Sequence, residues 1–234
     1  RADRCLPCSH TSTSMILIGR CTAEGESWRY ADDIVVFAKS KRAAERLLES
    51  CRKYLEGKLT LKLNTEKSKV TSIFAKKKFK FLGFCLGKNG HDIYIRVHRK
   101  SLAKAKEKLK LLTKRNRGRN VRAVMQEVKV FARDWIGYFR VADMKWTLMS
   151  WDEWVRRRFR MYIWKQWKKP KTKVANLRKL SIPADKAYQW WNSRLGYWRI
   201  AGSPVLKCSI TNERLVAAGY FSILNYYEPL HSCG

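Results

Sequence analysis

Two adjacent carboxylates stand directly before an apolar run, and this arrangement leaves few folds open to the chain. Asp32 and Asp33 precede residues 34–38, a β-branched run that is typical of a buried strand. Unpaired carboxylates resist burial, so the pair needs a cation, which a side chain or a metal could supply. Carboxylate oxygens are hard ligands that suit Mg²⁺. A bare Asp-Asp pair is also typical of a solvated turn, so the surrounding residues must decide between these interpretations.

The charge of the chain indicates a polyanionic partner. Its 234 residues include 51 Lys and Arg against 19 Asp and Glu, a formal net charge of +32. Self-repulsion at this charge disfavours a compact state, so a polyanion is the natural partner. The ten Trp and ten Tyr add rings that suit bases as well as a core. A membrane surface fits less well, because no window approaches the roughly 18 apolar residues of a spanning helix.

Cysteine use and the absence of a recognisable signal peptide predict a cytoplasmic or organellar protein. The seven cysteines are an odd number, which favours reduced thiols over a disulfide framework. Cys5-x-x-Cys8, followed by His10 and Cys21, could form a zinc site, but the loop is short and no second Cys-x-x-Cys follows. We therefore do not favour zinc.

Residues 29–97 predict a small α+β unit. Ser40 is a good N-cap for an amphipathic helix, and Gly57 is predicted to follow its last turn and stop it. Asn89-Gly90 predicts a tight hairpin. The strands predicted after the helix occupy residues 59–63, 70–74, 79–84 and 93–97. Residues 1–28 are rich in Ser, Thr and Cys without a sustained period, so they predict a poorly ordered lead-in or one foreign to the fold.

Residues 98–234 predict helices with strongly basic faces. Between Arg96 and Arg119 the chain has eleven Lys and Arg and one acid, Glu107, which is too lopsided for ion pairing along a helix. Contact with phosphates is therefore favoured over a solvated face. Asn120 is predicted to cap one helix. A later helix is predicted to begin at the capping box Ser150-x-x-Glu153 and to stop at Pro170. Its rings, among them Trp154 and Phe159, are predicted to be core.

Several stretches together resemble the group II intron reverse transcriptase/maturases. Tyr30-Ala31-Asp32-Asp33 is similar to the catalytic palm motif of that family. Residues 57–69 are similar to the palm segment that follows this motif, and residues 79–84 to the primer-grip strand. Farther along, residues 135–139 resemble the maturase-specific, or X, region that forms the thumb, and residues 196–204 resemble its C-terminal part.

The resemblance, which starts near residue 27, implies an α+β fold in two parts. A partial palm of antiparallel strands plus a helix would span residues 29–97, after the lead-in over residues 1–28. An all-helical thumb, or X domain, would span residues 98–234. The family's fingers and the first half of its palm should precede the catalytic motif, and the lead-in does not resemble them. We therefore expect the C-terminal part of a reverse transcriptase that lacks its N-terminal part.

The resemblance also implies an activity, that of an RNA-directed DNA polymerase. In this two-metal reaction Mg²⁺ assists attack of a primer hydroxyl on a nucleotide phosphorus. Asp32 and Asp33 would be the catalytic residues and the metal ligands. The residues implied to contact the primer are Tyr30, Phe81, Leu82 and Gly83. The cations expected to contact RNA are Arg99, Lys100, Lys104, Lys108, Lys114, Arg115, Arg117, Arg119, Arg156, Arg157 and Arg160.

The implied partners are structured intron RNA and an RNA/DNA primer-template, with no membrane; a homodimer is left open. A second hypothesis is an RNA-binding maturase that assists splicing without polymerase activity. It is favoured by the missing third carboxylate, which the family carries in an earlier motif. The only acids before Asp32 are Asp3, Glu24 and Glu26, and none has a matching context.

Overall fold

The chain divides into two compact units, Arg1–His98 and Arg99–Gly234, which we call the sheet unit and the helical unit. The computed structural model describes residues 14–19, 27–30, 33–58, 60, 64, 68–72, 80–89 and 92–232. The cysteines and histidine weighed above as a zinc site lie outside these residues. Most of the predicted strand over residues 59–63 lies outside them as well.

The sheet unit combines a four-stranded sheet, a helix and a separate hairpin. Its described elements are β1 (Ser14–Gly19), β2 (Ser27–Tyr30), β3 (Asp33–Ala38), α1 (Lys41–Gly57), β4 (Lys69–Ser72), β5 (Phe84–Asn89) and β6 (Asp92–Val97). The sheet has the strand order β2-β3-β1-β4. β2 and β3 form an antiparallel hairpin, whereas β1 runs parallel to both β3 and β4. β5 and β6 pair antiparallel in a second sheet.

β1 contradicts two expectations from the sequence. The predicted lead-in over residues 1–28 is wrong for residues 14–19, because β1 lies between β3 and β4 in the sheet. The expectation of antiparallel strands holds for β2 with β3 but is wrong for β1, which pairs in parallel with both neighbours. The apolar run at residues 15–18 is short, and a short apolar run alone cannot identify a strand by its period.

α1 lies against strands β1, β3 and β4. It begins as predicted at Ser40, whose side-chain oxygen accepts a hydrogen bond from the backbone N–H of Ala43 at 3.2 Å. Ala38 and Ala44 form the buried centre of the contact. The partly buried side chains around them are those of Val36, Ala43, Leu48, Cys51, Leu55 and Val70. Gly57 is the last helical residue and not, as predicted, the first residue after the helix.

A tight turn replaces the end of the strand predicted over residues 79–84. The backbone N–H groups of Phe81 and Phe84 each donate to the other residue's carbonyl, at 3.1 and 2.7 Å. Between them Leu82 has φ 49° and Gly83 has φ 85°. Positive φ at both central positions is the signature of a type I′ turn. β5 therefore begins only at Phe84.

The hairpin predicted from Asn89-Gly90 is confirmed. Asn89, the last residue of β5, pairs with Asp92, the first residue of β6. The pairing continues to Phe84 opposite Val97. The two residues that join the strands lie outside the described part of the chain.

In the helical unit, every described element is a helix. The elements are α2 (Arg99–Leu112), α3 (Val121–Phe139), α4 (Lys145–Gln166), α5 (Pro170–Lys179), α6 (Ala184–Trp191), α7 (Tyr197–Gly202), α8 (Pro204–Ser209), α9 (Asn212–Ala217) and α10 (Ile223–Ser232). α4 is central, since it lies against α3, α7 and α10. Its residues Leu148, Val155 and Phe159 are fully buried. None of the described helices combines the length and the apolarity needed to cross a bilayer.

The boundaries of α3 and α4 test the capping predictions. Asn120 caps α3 as predicted, since its side-chain oxygen accepts from the backbone N–H of Arg122 at 2.9 Å. The capping box predicted at Ser150 is wrong, because α4 already begins at Lys145. The apolar face of the helix continues upstream through Leu148, and this burial outweighs the local capping signal. Pro170 opens α5 at its first position, where its missing N–H costs nothing.

Candidate functional site

The Tyr-Ala-Asp-Asp sequence lies at one end of the β2–β3 hairpin. Tyr30, the last residue of β2, pairs with Asp33, the first residue of β3. Ala31 and Asp32 connect them and lie outside the described residues, and for Tyr30 and Asp33 only the backbone is described. The strand that follows is buried, as its composition predicts: Val35 is 2% exposed. The acidic pair therefore stands at the entrance to a buried strand.

The acidic residues next to this end of the sheet are of the type that binds a divalent cation. Asp32 and Asp33 offer two hard carboxylates, and Mg²⁺ binds through one or two carboxylates while water and substrate phosphates fill its other positions. The neighbouring strands β1, β2 and β4 carry no Asp or Glu. Among the residues that the structure describes, no group of three or more His, Cys, Asp or Glu side chains could hold a metal. The four strands of this sheet thus carry one acidic residue, Asp33, which Asp32 directly precedes in the sequence.

Three of the four residues expected at the primer lie together in the type I′ turn, whereas Tyr30 is the last residue of β2. Phe81, Leu82 and Gly83 are all partly buried. The backbone N–H of His98 donates to the carbonyl of Gly83 at 2.8 Å, which ties the turn to the residue that follows β6. The backbone at residues 81–84 forms a turn, whereas a strand was predicted.

The outer face of α2 is a surface of exposed lysines. Lys104 and Lys108, which lie one helical turn apart, are exposed, whereas the residues that follow them, Ala105 and Leu109, are buried. Arg99 and Lys100 at the start of the helix, and Lys114 and Arg115 after it, are exposed too. Within the described residues, Lys104, Lys108 and Lys114 form no ion pair. We call these six cations the α2 basic face.

Arg160, in contrast, is not available to RNA, so its predicted role is wrong. It is 6% exposed, and its guanidinium donates to the carbonyl of Ile210 and to Oδ1 of Asn212, both at 2.8 Å. Burial lowers the pKa of this guanidinium. Ile210 follows the last residue of α8, where helix carbonyls lack partners within the helix. Arg160 supplies a hydrogen-bond donor to the Ile210 carbonyl.

Three further arginines expected at RNA are committed to contacts within the protein. Arg117 donates to the carbonyl of Leu112 at 2.8 Å and to Glu127 at 2.9 Å. Arg119 forms an ion pair with the same glutamate. Arg156, which is partly buried, forms an ion pair with Asp152 one helical turn away. These contacts hold the segment between α2 and α3, and the middle of α4, in place.

Arg157 and Arg158 are neighbours on α4 that hold other helices. Arg157 donates to the carbonyl of Trp198 at 2.8 and 3.2 Å, and its guanidinium lies 4.0 Å from the centre of that indole ring. Arg158 donates to the carbonyl of Lys110 at 2.9 Å and to the Thr113 hydroxyl, at the end of α2. Burial lowers the pKa of Arg158. Sequence reasoning missed Arg158, since nothing distinguishes it within the arginine run.

Trp154 is not the core residue that the sequence predicts, although Phe159 is, at 0% exposed. Trp154 is only partly buried. Its ring lies 5.0 Å from the Arg158 guanidinium and 5.6 Å from the Lys106 ammonium group, measured to the ring centre. It therefore lines a cationic surface cavity. A helical period places a ring on a face of its helix, but it does not say whether another helix covers that ring.

Comparison with known families defines the class of protein to which these features belong. Residues 16–86 match the family described as "Reverse transcriptase (RNA-dependent DNA polymerase)". The match contains β2, β3 and the Tyr-Ala-Asp-Asp sequence that connects them. This stretch of the sheet unit thus belongs to the RNA-directed DNA polymerase family, and the match extends upstream into the predicted lead-in.

A second match specifies the family. Residues 102–181 match "Group II intron, maturase-specific domain", a range that contains most of α2, all of α3 and α4, and α5. The chain therefore belongs to the group II intron reverse transcriptase/maturase family. It is also 42% identical over 65 residues to Protein YkfC of Escherichia coli (strain K12), a stretch that covers 24% of this chain and 17% of YkfC. The chain thus matches less than a fifth of that curated relative.

Proposed function

We propose that this chain binds structured intron RNA through the α2 basic face and so assists intron splicing and mobility. One observation carries the proposal: Lys104, Lys108 and Lys114 of this face lie in the region matched by the maturase-specific domain, and they pair with no described carboxylate. Cations that pair with no carboxylate are free to neutralise phosphates, and the release of counterions from RNA then favours binding.

Charge distribution within the helical unit supports this choice of surface. The arginines Arg117, Arg156 and Arg160 donate to acceptors inside the unit, so the high arginine content does not translate directly into RNA contacts. Lys100, Lys104 and Lys108 of α2 are exposed and lie four residues apart. A line of cations along one helix suits a phosphate backbone, which carries one charge per nucleotide.

For the sheet unit we propose the polymerase role of the family. Asp32 and Asp33 would hold Mg²⁺, which, when bound, stabilises the attacking and leaving oxygens of nucleotidyl transfer. Tyr30 would lie under the primer terminus, and the turn at Leu82 and Gly83 would approach the primer backbone, where glycine allows close contact. Carboxylates suit this role because they are ionised at neutral pH.

A second candidate function, RNA binding without polymerase activity of this chain, is favoured by the donor set. Two-metal chemistry uses several carboxylates, and β1, β2 and β4 add none to Asp32 and Asp33. A cytoplasmic or organellar location and a homodimer stay predictions.

The salt dependence of RNA binding tests the proposed surface. Lys104→Gln with Lys108→Gln should reduce the slope of log K against log salt by about 0.7–0.9 for each phosphate that the variant no longer neutralises. The matched control is Lys186→Gln with Lys207→Gln, two exposed lysines on α6 and α8. An unchanged slope in the first pair, or an equal reduction in the control pair, would contradict the proposal.

Primer extension on an RNA template separates the two candidate functions. If the chain polymerises, incorporation should disappear in Asp32→Asn and survive in Asp185→Asn, an exposed acid of α6. RNA affinity should be unchanged in both, because neither substitution touches the α2 basic face. No incorporation by the unmodified chain, with RNA affinity intact, would favour the second candidate.

A further inference from the structure

A cavity of about 470 Å³ on the helical unit has walls of aromatic rings and cations. Trp154 of α4 and Trp198 of α7 provide the rings, and Lys106 and Lys110 of α2 provide the cations. Glu107 is the only acid among its lining residues. We call this cavity the tryptophan cleft. It is distinct from the line of Lys104 and Lys108, since Lys106 and Lys110 follow a different line along α2.

Both rings of the cleft rest on arginines that the backbone holds in place. Trp198 lies against Arg157, whose guanidinium donates twice to the Trp198 carbonyl. Gly202 leaves the space for this guanidinium, because a Cβ at that position would come within 2.5–2.7 Å of its atoms. Trp154 lies against Arg158, which is bonded to the end of α2. The rings are therefore pre-positioned, and little ordering remains to be done on binding.

The lysines of the cleft, unlike these arginines, are not held by backbone carbonyls. Lys106 and Lys110 are exposed, and neither pairs with a carboxylate among the described residues. Trp198 itself is 37% exposed, so an indole ring that already lies on a cation remains reachable from solvent. A ring beside ammonium groups that form no described ion pair suits a ligand with both a flat face and negative charge.

The cleft continues along the surface through two adjoining cavities. The first shares Trp198 and adds Arg115, Tyr197 and Arg199. The second, of about 650 Å³, shares Arg115 and adds Lys165 and Lys168 among its lining residues. Tyr197 repeats the arrangement of the cleft, since Arg115 lies 4.6 Å and Lys165 lies 5.1 Å from its ring centre. Rings and cations thus alternate along the path formed by the three cavities.

We propose that this path binds an unpaired segment of RNA, with bases stacked on Trp198 and Trp154 and phosphates on Lys106, Lys110 and Arg115. The proposal rests on the RNA binding proposed above and adds which form of RNA this surface takes. A duplex keeps its base faces inside its own stack and presents phosphates, which the α2 basic face suits. Only unpaired bases offer a face to an indole ring.

The test compares a single-stranded 12-nucleotide RNA with a blunt RNA duplex of the same length, using the full chain. Trp198→Ala should weaken binding of the single strand about tenfold, since base–aromatic stacking contributes about 1–3 kcal/mol per base. Duplex affinity should change less than about twofold. Trp198→Phe, which keeps a ring, should recover most of the single-strand affinity. The matched control is Trp146→Ala, since Trp146 of α4 is 76% exposed and lies outside the cleft; it should leave both affinities unchanged.

Two outcomes would overturn the inference. Trp198→Ala could leave single-strand affinity unchanged, as expected if the cleft takes a protein, or it could weaken single-strand and duplex binding equally. Failure of the proposed function would look different, because the unmodified chain would then show no salt-dependent binding of either RNA. A thermal unfolding midpoint equal to that of the wild type would show that the Trp198→Ala variant is folded. Lys106→Gln with Lys110→Gln, which leaves the rings in place, should lower the salt slope of single-strand binding.

Discussion

The Asp152 carboxylate of α4 accepts a hydrogen bond from the Tyr220 hydroxyl at 2.5 Å. The same oxygen accepts the backbone N–H of Ile223, the first residue of α10, at 2.9 Å. Asp152 is 3% exposed, and its second oxygen accepts from Ser222 and Arg156. A side chain in the middle of one helix thus caps the start of another, where backbone donors lack partners. This interaction joins the last helix of the chain to α4.

Asp152→Ala should therefore destabilise the helical unit. It removes the side-chain acceptor of the Ile223 N–H, and it leaves the buried Tyr220 hydroxyl only the backbone carbonyl of residue 152, at 3.3 Å. A buried group left unsatisfied costs about 1–3 kcal/mol. We expect the free energy of unfolding, measured by urea titration of helical circular dichroism, to fall by about 3 kcal/mol. Glu153→Ala is the matched control: Glu153 is the next residue on the same helix and is exposed. Equal effects of the two substitutions would contradict the capping role.

The same hydrogen bond predicts that the helical unit is less stable in alkali. Burial and the neighbouring Asp152 carboxylate raise the pKa of Tyr220 well above its ordinary value of 10. On unfolding, the hydroxyl would ionise near pH 10, so its stabilising contribution is complete below pH 10 and declines as the pH rises further. The decline should amount to about 1.4 kcal/mol per pH unit above 10.

The difference in unfolding free energy between wild type and Tyr220→Phe isolates this effect, because every other side chain is common to both. It should be constant from pH 7 to pH 9 and shift in favour of the variant between pH 10 and pH 11. Tyr188→Phe provides the control, since Tyr188 is 59% exposed, and its difference from wild type should not vary. A pH-independent difference for Tyr220→Phe would argue against the buried hydrogen bond.

Arg160 and Lys104 should behave in opposite ways when they are replaced. Arg160→Met removes donors to the carbonyl of Ile210 and to Asn212, so it should lower the free energy of unfolding by about 1–3 kcal/mol. It should leave the salt slope of RNA binding unchanged. Lys104→Gln should reduce that slope without a measurable change in stability. Thermal unfolding measures the stability, and RNA titration at four salt concentrations measures the salt slope. A lower salt slope with unchanged stability for Arg160→Met would mean that Arg160 contacts RNA.

The sequence reveals structure best where the signal is local. Ser40 and Asn120 cap their helices through hydrogen bonds within three residues along the chain, and Asn89-Gly90 joins strands that follow each other directly. Such features depend on the conformational freedom of the backbone and on hydrogen-bonding groups a few residues away. The residue types at a few positions are therefore enough to predict them. The hairpin that carries Asp33 belongs to this class, since the two paired residues Tyr30 and Asp33 are three positions apart.

The hydrogen-bond and strand partners of residues that lie far apart in the sequence could not be predicted. Arg160 bonds to Ile210, fifty residues away, and Asp152 bonds to Tyr220, sixty-eight residues away. A cation in a basic helix looks the same in the sequence whether it faces phosphates or a helix end, because both offer oxygen acceptors. The parallel position of β1 between β3 and β4 is also long-range, and its short apolar run carries no directional signal.

Two glycines of the sheet unit should respond in opposite directions to alanine. Gly83 has φ 85° in the type I′ turn, a conformation that costs an L-residue about 1–2 kcal/mol. Gly57 ends α1, and a Cβ there would meet nothing within 4 Å. Alanine loses less conformational entropy on folding than glycine, so Gly57→Ala should stabilise the unit by up to about 1 kcal/mol.

The measurement is the urea midpoint of the full chain, followed by a probe attached in the sheet unit at Cys85, which is partly buried. Gly83→Ala should lower the midpoint, and Gly57→Ala should raise it or leave it unchanged. Since both variants add the same methyl group, a general effect of added bulk would shift both midpoints the same way. A neutral Gly83→Ala would mean that residues 81–84 adopt another turn in solution, and the approach proposed for Gly83 at the primer would lose its structural basis.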